Sequence, residues 1–162
     1  MARTNTKIGD IFCAQIDSKT KKYFQYIAND LTQLNSDVIR VFNTKYSVEQ
    51  QPELSDIIKD DVDFYAHCVT KIGLKLNFWQ YIGNMGDVGE KNVLFRTSGD
   101  RADVGKNASR DWYVWRIGED FKRVGILEGE NRKAEIGGVI PPDSIIYRML
   151  HGEYDFVYPN FE

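Results

Sequence analysis

The strongest constraint on the fold is an alternation of apolar and polar residues in short segments that are rich in aromatic side chains. Aromatic residues make up 13% of the chain, with nine Phe, nine Tyr and three Trp. Along residues 8–16, Phe12 and Ile16 fall on one face, and Ile11 and Cys13 fall on the other. Period-two alternation of this kind is typical of half-buried strands. We therefore expect a mainly β protein.

Similar segments recur along the chain and predict about eight strands. The first three, residues 8–16, 23–28 and 37–46, are expected to form an antiparallel meander, because the polar residues 17–20 suit a hairpin turn. The remaining strands are predicted at 62–70, 74–82, 93–97, 112–117 and 121–127. The expected fold class is mainly β (α+β), built as an antiparallel twisted sheet or a small barrel with one or two short helices.

One region between the predicted strands has the spacing of a helix. Within residues 47–61, Leu54, Ile57 and Ile58 suit one face of a short amphipathic helix. Pro52 fits near its first turn, where a missing N–H costs least.

A second helix is predicted at residues 143–151, close to the end of the chain. Asp143 or Ser144 is the expected cap, and Gly152 is expected to end the helix. The length of 162 residues suits a single domain over residues 1–162.

Composition and charge exclude several classes of protein. Hydrophobic residues at 42% and charged residues at 28% are ordinary globular values. No apolar segment approaches the roughly 20 residues of a membrane-spanning helix, and no signal-peptide core is present, so a cytoplasmic protein without a membrane partner is expected. The net charge of −3 argues against general nucleic-acid binding. Two cysteines cannot build a disulfide framework.

The candidate catalytic and metal-binding residues do not form a recognisable constellation. His67 and Cys68 are adjacent on a predicted strand, so their side chains point to opposite faces and cannot pair with each other. Cys13 and Cys68 are expected to be small core residues. His151 is expected to be a helix-end residue, and two histidines without ligand spacing do not predict a zinc site. We predict no catalytic residue, no metal and no cofactor.

Two glycine-rich loops, residues 83–92 and 99–109, are expected to be exposed. The first lacks the strand–loop–helix context and the Gly-Lys-Ser/Thr ending of a phosphate loop. The second, counted from Gly99 to Arg110, has a net charge of only +1, which suits a solvated loop better than phosphate binding. Its charged residues are Asp100, Arg101, Asp103, Lys106 and Arg110.

The densest group of acidic residues lies between Glu49 and Asp63, where six acids accompany only Lys59 and give a local charge of −5. One interpretation is a solvated helix face with its flanks. The other is a negative surface that attracts a basic partner and speeds encounter. The acidic residues predicted to bind such a partner are Glu53, Asp56, Asp60, Asp61 and Asp63.

Aromatic and basic residues interleave from Trp112 to Arg116, a pattern that small barrels use to bind single-stranded nucleic acid. Strand alternation puts Trp112 and Trp115 on opposite faces, so at least one of the two is expected in the core. An exposed indole would instead suit a protein-binding hot spot. Trp112 and Trp115 are therefore further candidates for partner binding.

Four segments in order resemble a known family. Lys7-Ile8-Gly9-Asp10-Ile11-Phe12 opens the chain, and Trp79-Gln80-Tyr81-Ile82-Gly83 follows in its centre. Trp112-Tyr113-Val114-Trp115 comes next, and Pro141-Pro142 leads the last helix. In this order they resemble the immunity protein 26 family of bacterial polymorphic toxin systems, over roughly residues 7–152.

The resemblance implies an intracellular protein, without enzymatic activity, that binds and neutralises a cognate toxin domain. Many targets of such proteins are basic nucleases, for which the acidic residues would be a natural binding surface. Two alternatives from other classes stay open, a nucleic-acid-binding small β-barrel and a hydrolase that uses Cys13, His67 or several carboxylates.

Overall fold

The computed structural model describes residues 5–100 and 108–161, and in them strands form two separate sheets. The strands are β1 (Asp10–Gln15), β2 (Thr20–Asp30), β3 (Ser36–Phe42), β4 (Tyr46–Ser47), β5 (Val62–Cys68), β6 (Gln80–Asn84), β7 (Leu94–Ser98), β8 (Trp112–Arg116), β9 (Lys122–Gly125) and β10 (Glu135–Ile136). The helices are α1 (Leu54–Ile57), α2 (Thr70–Lys75) and α3 (Pro142–His151), with a 3₁₀ turn at Gly129–Lys133. The prediction of a mainly β fold is confirmed.

The first sheet has the strand order β5-β3-β2-β1-β6, with β4 also paired to β2. All of its pairings are antiparallel, and β1, β2 and β3 form the predicted meander. The second sheet has the order β10-β7-β8-β9, in which only β10 and β7 are parallel. In the described residues these are two open sheets rather than the closed barrel that the sequence left as an alternative.

The two faces of the first sheet are covered by different parts of the chain, as the period-two alternation requires. Phe12, Phe24 and Phe64 point to one face, where Trp79 and α3 cover them. On the opposite face, Ile11, Tyr23 and Phe42 lie under α1 at one end. Ile27 and Val38 lie under the second sheet at the other end. This opposite face, shared by α1 and the second sheet, positions the residues considered below.

The strand predicted at residues 74–82 is wrong in its first half. Residues 70–75 form α2, and only residues 80–84 pair as a strand with β1. Gly73 of α2 lies against the indole of Trp79, so close that a methyl group in place of its hydrogen would lie 2.0 Å from the ring. The indole Nε1 in turn donates to the carbonyl of Thr70 at 2.9 Å. The helix forms here because it lets Trp79 fold back onto its first turn.

The predicted helix at residues 47–61 is only one turn long, at Leu54–Ile57. The C-terminal helix, predicted at residues 143–151, spans Pro142–His151 and ends at Gly152 in the left-handed region, with φ of 84°. Its cap differs from the prediction, because the N-cap is Pro141 and no side chain caps the helix. Within residues 5–100 and 108–161, no helix has the length and apolar character needed to cross a membrane.

The glycine-rich loop after β6 is fastened to the sheet by a buried arginine. The guanidinium of Arg40 donates from Nε and Nη2 to Oε1 of Gln25, at 2.9 and 2.7 Å, and from Nη2 to the carbonyl of Asp87 at 3.1 Å. Gln25 Nε2 donates to the carbonyl of Met85 at 3.0 Å. Most side chains of this loop are exposed as expected, but its backbone is held to the sheet.

Candidate functional site

The acidic residues lie on a segment, residues 46–63, that folds over one end of the first sheet. We call it the acidic segment. Its apolar side chains anchor it, because Leu54, Ile57 and Ile58 pack with Tyr46 onto the buried Ile11, Tyr23 and Phe42. Ile57 is 1% exposed, so the single turn of α1 has a fixed inner side. The polar residues between these anchors are therefore directed outward.

Besides Asp63, which is described below, four carboxylates of the acidic segment are exposed, namely Glu49, Glu53, Asp56 and Asp61. In the part of the chain that the structure describes, none of their side chains forms an ion pair or a hydrogen bond. Neighbouring like charges raise the local negative potential, and Lys59 is the one cation within residues 46–63 that offsets them. Three of the five acidic residues predicted to bind a partner, Glu53, Asp56 and Asp61, are thus exposed negative charges without a partner in the described residues.

The other two predicted acidic residues have structural partners. Asp60 accepts hydrogen bonds from the N–H of Thr44 and the N–H of Asp61, each at 2.8 Å, and so holds the chain before β5. Asp63 Oδ2 lies 2.7 Å from Nζ of Lys22, whose side chain is only 2% exposed. Substitution of either residue would disturb the fold as well as the surface charge.

Tyr46 lies beside these carboxylates and is half-buried. Its ring packs edge-to-face on Tyr23, with the two centroids 5.4 Å apart. Burial raises the pKa of the Tyr46 phenol, and the negative charges of Asp60 and Asp56 raise it further. Next to it Val48 is exposed, and its carbonyl accepts a hydrogen bond from Nζ of Lys21 at 3.1 Å. The surface therefore combines carboxylates with a neutral phenol and an apolar side chain.

Both candidate tryptophans are buried, so neither indole is available as an exposed partner contact. Strand alternation holds in β8, where Trp112 faces Leu127 and Trp115 faces Val38 and Phe95. Both faces of this strand are covered, and the two residues are 0% and 2% exposed. The sequence correctly predicted a core tryptophan but could not show that the opposite face is also covered. This burial also takes both indoles out of the stacking surface that the nucleic-acid interpretation requires, and leaves only the half-buried Tyr113 of that aromatic run.

The residues considered for a hydrolase lie apart. His67 and Cys68 face opposite sides of β5 as predicted, and both are buried. His67 contacts the rings of Phe95 and Trp115 under the second sheet. Cys13 is half-buried near the acidic segment, and burial raises the pKa of its thiol, as it does for Cys68. Raised thiol pKa values disfavour the nucleophilic thiolate.

His67 has a partner that the sequence did not indicate, the carboxylate of Asp30. Burial lowers the pKa of the imidazole more than the hydrogen bond to Asp30 raises it, so the ring is neutral. Burial alone would raise the pKa of Asp30, but hydrogen bonds from the Gly118 N–H, His67 and Trp115 lower it overall. The alternation pattern could not find this pair, since Asp30 and His67 are 37 residues apart.

No group of three or more His, Cys, Asp or Glu side chains among residues 5–100 and 108–161 is arranged to hold a metal ion. Arg101, Asp103 and Lys106 of the second glycine-rich loop lie outside the described residues. Asp100 is within them and accepts hydrogen bonds from the hydroxyls of Ser98 and Ser109, which lower the pKa of its carboxyl.

Comparison with known proteins gives one match. The family model of immunity protein 26 matches residues 7–108, which is more than half of the chain and includes β1 to β7 with the acidic segment. The match is narrower than the resemblance described above, because residues 112–115 and Pro141-Pro142 lie outside it. No curated protein and no solved structure matches the chain.

Proposed function

The chain belongs to the immunity protein 26 family, and on that basis we propose that it binds and neutralises a cognate bacterial toxin domain. The family suggests a role without enzymatic activity, so neutralisation here consists of occupying the toxin surface. The interaction takes place in the cytoplasm of the producing cell, where the toxin would otherwise act. No cofactor or membrane takes part.

We assign toxin binding to the acidic segment. The observation that carries the assignment is the group of exposed carboxylates, Glu49, Glu53, Asp56 and Asp61, without partners in the described residues. Complementary potentials speed encounter and select partners of opposite charge. The expected partner surface is basic, as on a nuclease domain that contacts phosphate groups.

Tyr46 and Val48 add aromatic and apolar contact surface beside the carboxylates. Aromatic residues dominate the contacts that determine affinity in protein interfaces, whereas exposed charges mainly change association rate. The phenol of Tyr46 is fixed by its packing on Tyr23, so it loses little conformational freedom on binding. We therefore expect carboxylates to guide the toxin and Tyr46 to contact it directly.

The test begins with the partner itself, identified by co-purification with the tagged protein and then prepared as an isolated toxin domain. The variant Glu53→Lys with Asp61→Lys reverses two exposed charges without touching Asp60 or Asp63. Its matched control is Glu119→Lys with Asp120→Lys, which makes the same charge change at exposed residues of the β8–β9 turn.

Association with the toxin domain is measured by stopped flow, and protection is measured as growth of cells that express the toxin. The first variant should associate about tenfold or more slowly at low salt, with the difference shrinking as salt rises. It should also protect poorly, while the control behaves as the unaltered protein. Equal association and equal protection by the two variants would refute the acidic segment as the binding surface. A chain that binds no toxin and protects no cell would refute the immunity function itself.

A further inference from the structure

A cavity of about 320 Å³ lies at the end of α3, and none of the residues that line it belongs to the acidic segment. Arg148 in the last turn of α3 and Arg96 on β7 line it, and the chain that follows α3 closes it with Tyr154, Phe156 and Tyr158. Its volume is at the lower end of the roughly 300–1,000 Å³ typical of small-molecule sites. The cavity is large enough for a small ligand.

Unpaired polar atoms concentrate around this cavity. In residues 5–100 and 108–161, five buried side-chain nitrogen or oxygen atoms lack a hydrogen-bond partner, and three belong to residues that line it. They are Nε of Arg96, Nη1 of Arg148 and the hydroxyl of Tyr154. A buried donor without an acceptor is costly, and native proteins satisfy nearly all of them. The Arg148 guanidinium lies beside the Tyr154 hydroxyl and can donate to it. The donors left over are Nε of Arg96 and the remaining N–H of Arg148, and they indicate that an acceptor from outside the chain belongs there.

The charges around the cavity favour an anion. Glu135 is the carboxylate nearest to Arg148, but its Oε2 lies 3.7 Å from Nη2, well beyond the 2.7–2.9 Å of a good charge-assisted hydrogen bond. Glu153 also lines the cavity and is exposed at its rim. Arg96 has no closely bound carboxylate in the described residues, and its guanidinium lies 5.3–5.7 Å from the rings of Trp112, Tyr158 and Phe161.

Aromatic rings hold both guanidinium groups in place. Arg148 lies 4.1 Å from the ring centroid of Phe64 and 4.8 Å from that of Tyr154. Tyr154 in turn stacks on Phe156 at 4.8 Å. Planar guanidinium groups present several donors in a fixed fork that matches carboxylate and phosphate oxygens. Nη1 of Arg96 already donates to the carbonyl of Ala134. The remaining donors of the two guanidinium groups, beside a tyrosine hydroxyl, form a site suited to an oxyanion.

We propose that this cavity binds a small free oxyanion, a phosphate or carboxylate compound, through Arg96, Arg148 and Tyr154. The three unpaired atoms are covered by neighbouring groups, so binding includes a rotation of the side chains that turns their N–H and O–H bonds toward the ligand. The site is separate from the acidic segment and has the opposite charge preference. It therefore gives the protein a second ligand, independent of toxin binding.

The proposal is tested by titrating the whole protein with inorganic phosphate and with citrate, at constant ionic strength set by chloride, in a calorimeter. Saturable binding with a Kd near or below about 1 mM is expected for at least one of the two. Arg148→Gln should weaken it about tenfold or more, because it removes a charged donor. Arg123→Gln is the matched control, since this arginine is exposed, pairs with Asp111 and does not line the cavity. It should leave binding unchanged.

A second variant, Tyr154→Phe, tests the site independently, in case Arg148→Gln does not fold. It keeps the stacked ring and removes only a hydroxyl whose neighbour is the Arg148 guanidinium, so the folded structure should be retained. Weaker binding in this variant would support the site. The proposal is overturned if neither anion binds saturably, or if both cavity variants bind as tightly as the unaltered protein.

Discussion

Nε2 of His67 lies 2.8 Å from Oδ2 of Asp30, and both side chains are fully buried. Asp30 ends β2 and His67 is on β5, so the pair reaches across β3 within the first sheet. The same carboxylate oxygen accepts a hydrogen bond from Nε1 of Trp115 at 2.9 Å, and the other oxygen accepts from the N–H of Gly118 at 3.0 Å. One carboxylate therefore joins the second sheet to the first.

Replacing Asp30 with Asn should destabilise the protein strongly. The amide has one oxygen in place of two, so some of the donors that now converge on Asp30 become buried and unpaired. We expect a loss of about 3 kcal/mol in the free energy of unfolding, measured by urea denaturation. Asp120→Asn, at an exposed residue, should change it by less than about 0.5 kcal/mol. Similar small effects of both substitutions would contradict the role of Asp30 as the link between the sheets.

The buried imidazole of His67 predicts a loss of stability in mild acid. Burial lowers its pKa from the ordinary value of 6.5, and protonation would add a proton at Nδ1, which has no hydrogen-bond partner. As pH falls below about 6.5, the unfolded chain binds a proton that the folded chain does not, so stability falls until the folded pKa is reached. The pKa of Asp30 is lowered, so its carboxylate keeps stabilising the folded chain until a lower pH, at which it is protonated.

The measurement is the free energy of unfolding at a series of pH values from 7 downward, for the unaltered chain and for His67→Gln, whose amide can still donate to Asp30. Below about pH 6.5, the free energy of unfolding should fall less steeply with pH in His67→Gln than in the unaltered chain. The difference in slope should correspond to the uptake of up to one proton on unfolding. His151→Gln, at the only other histidine and an exposed position, should keep the decline. Identical pH profiles for His67→Gln and the unaltered chain would contradict the prediction.

Local pattern was enough to predict the meander of β1, β2 and β3, but not which strands flank it or how the second sheet and α2 pack. The alternation from Phe12 to Ile16 correctly indicated which side chains share a face, because a strand exposes its two faces in strict order. The segment from Leu74 to Ile82, which directly follows Gly73 and contains Trp79, is predicted as a strand. What makes it helical is the contact of that indole with the glycine, which forms only once the chain has folded back.

Gly89 is predicted to be intolerant of a side chain. Its φ of 69° lies in the left-handed region, and a methyl group there would lie 2.1 Å from Nη1 of the buried Arg40. Gly89→Ala should therefore strain the loop and displace the guanidinium, with a loss of about 1–3 kcal/mol in the free energy of unfolding. Gly86→Ala is the matched control in the same loop, because nothing lies within 4 Å of its added methyl group. Equal effects of the two substitutions would show that Arg40 does not hold the loop.

For the candidate site, too, the sequence predicts features that depend on neighbouring residues and misses those that depend on contacts between distant segments. The sequence located the acidic residues, because charge density along the chain is visible without a structure. It could not separate Asp61, which is open to solvent, from Asp63, which pairs with Lys22 across 41 residues. The sequence did not predict a site at Arg96, Arg148 and Tyr154. These residues lie on β7, on α3 and after α3, and only the folded chain brings them together.

The difference between Asp63 and Asp61 gives a prediction that separates folding from binding. Asp63→Ala leaves the ammonium group of Lys22 without its partner in a nearly dry environment, since that side chain is 2% exposed. Breaking a fully buried pair costs about 3–5 kcal/mol, but the side chain of Asp63 is 33% exposed, so we expect about 2 kcal/mol. Asp61→Ala should change the free energy of unfolding by less than about 0.5 kcal/mol.

Urea denaturation of the two variants checks the stability, and toxin association checks the binding. If the acidic segment guides the toxin, Asp61→Ala should slow association at low salt although its stability is unchanged. A stable Asp63→Ala would contradict the role of Lys22 as a buried, paired cation. A stable Asp61→Ala that associates at the original rate would instead count against the negative surface, because at that residue no structural defect can mask the loss of charge.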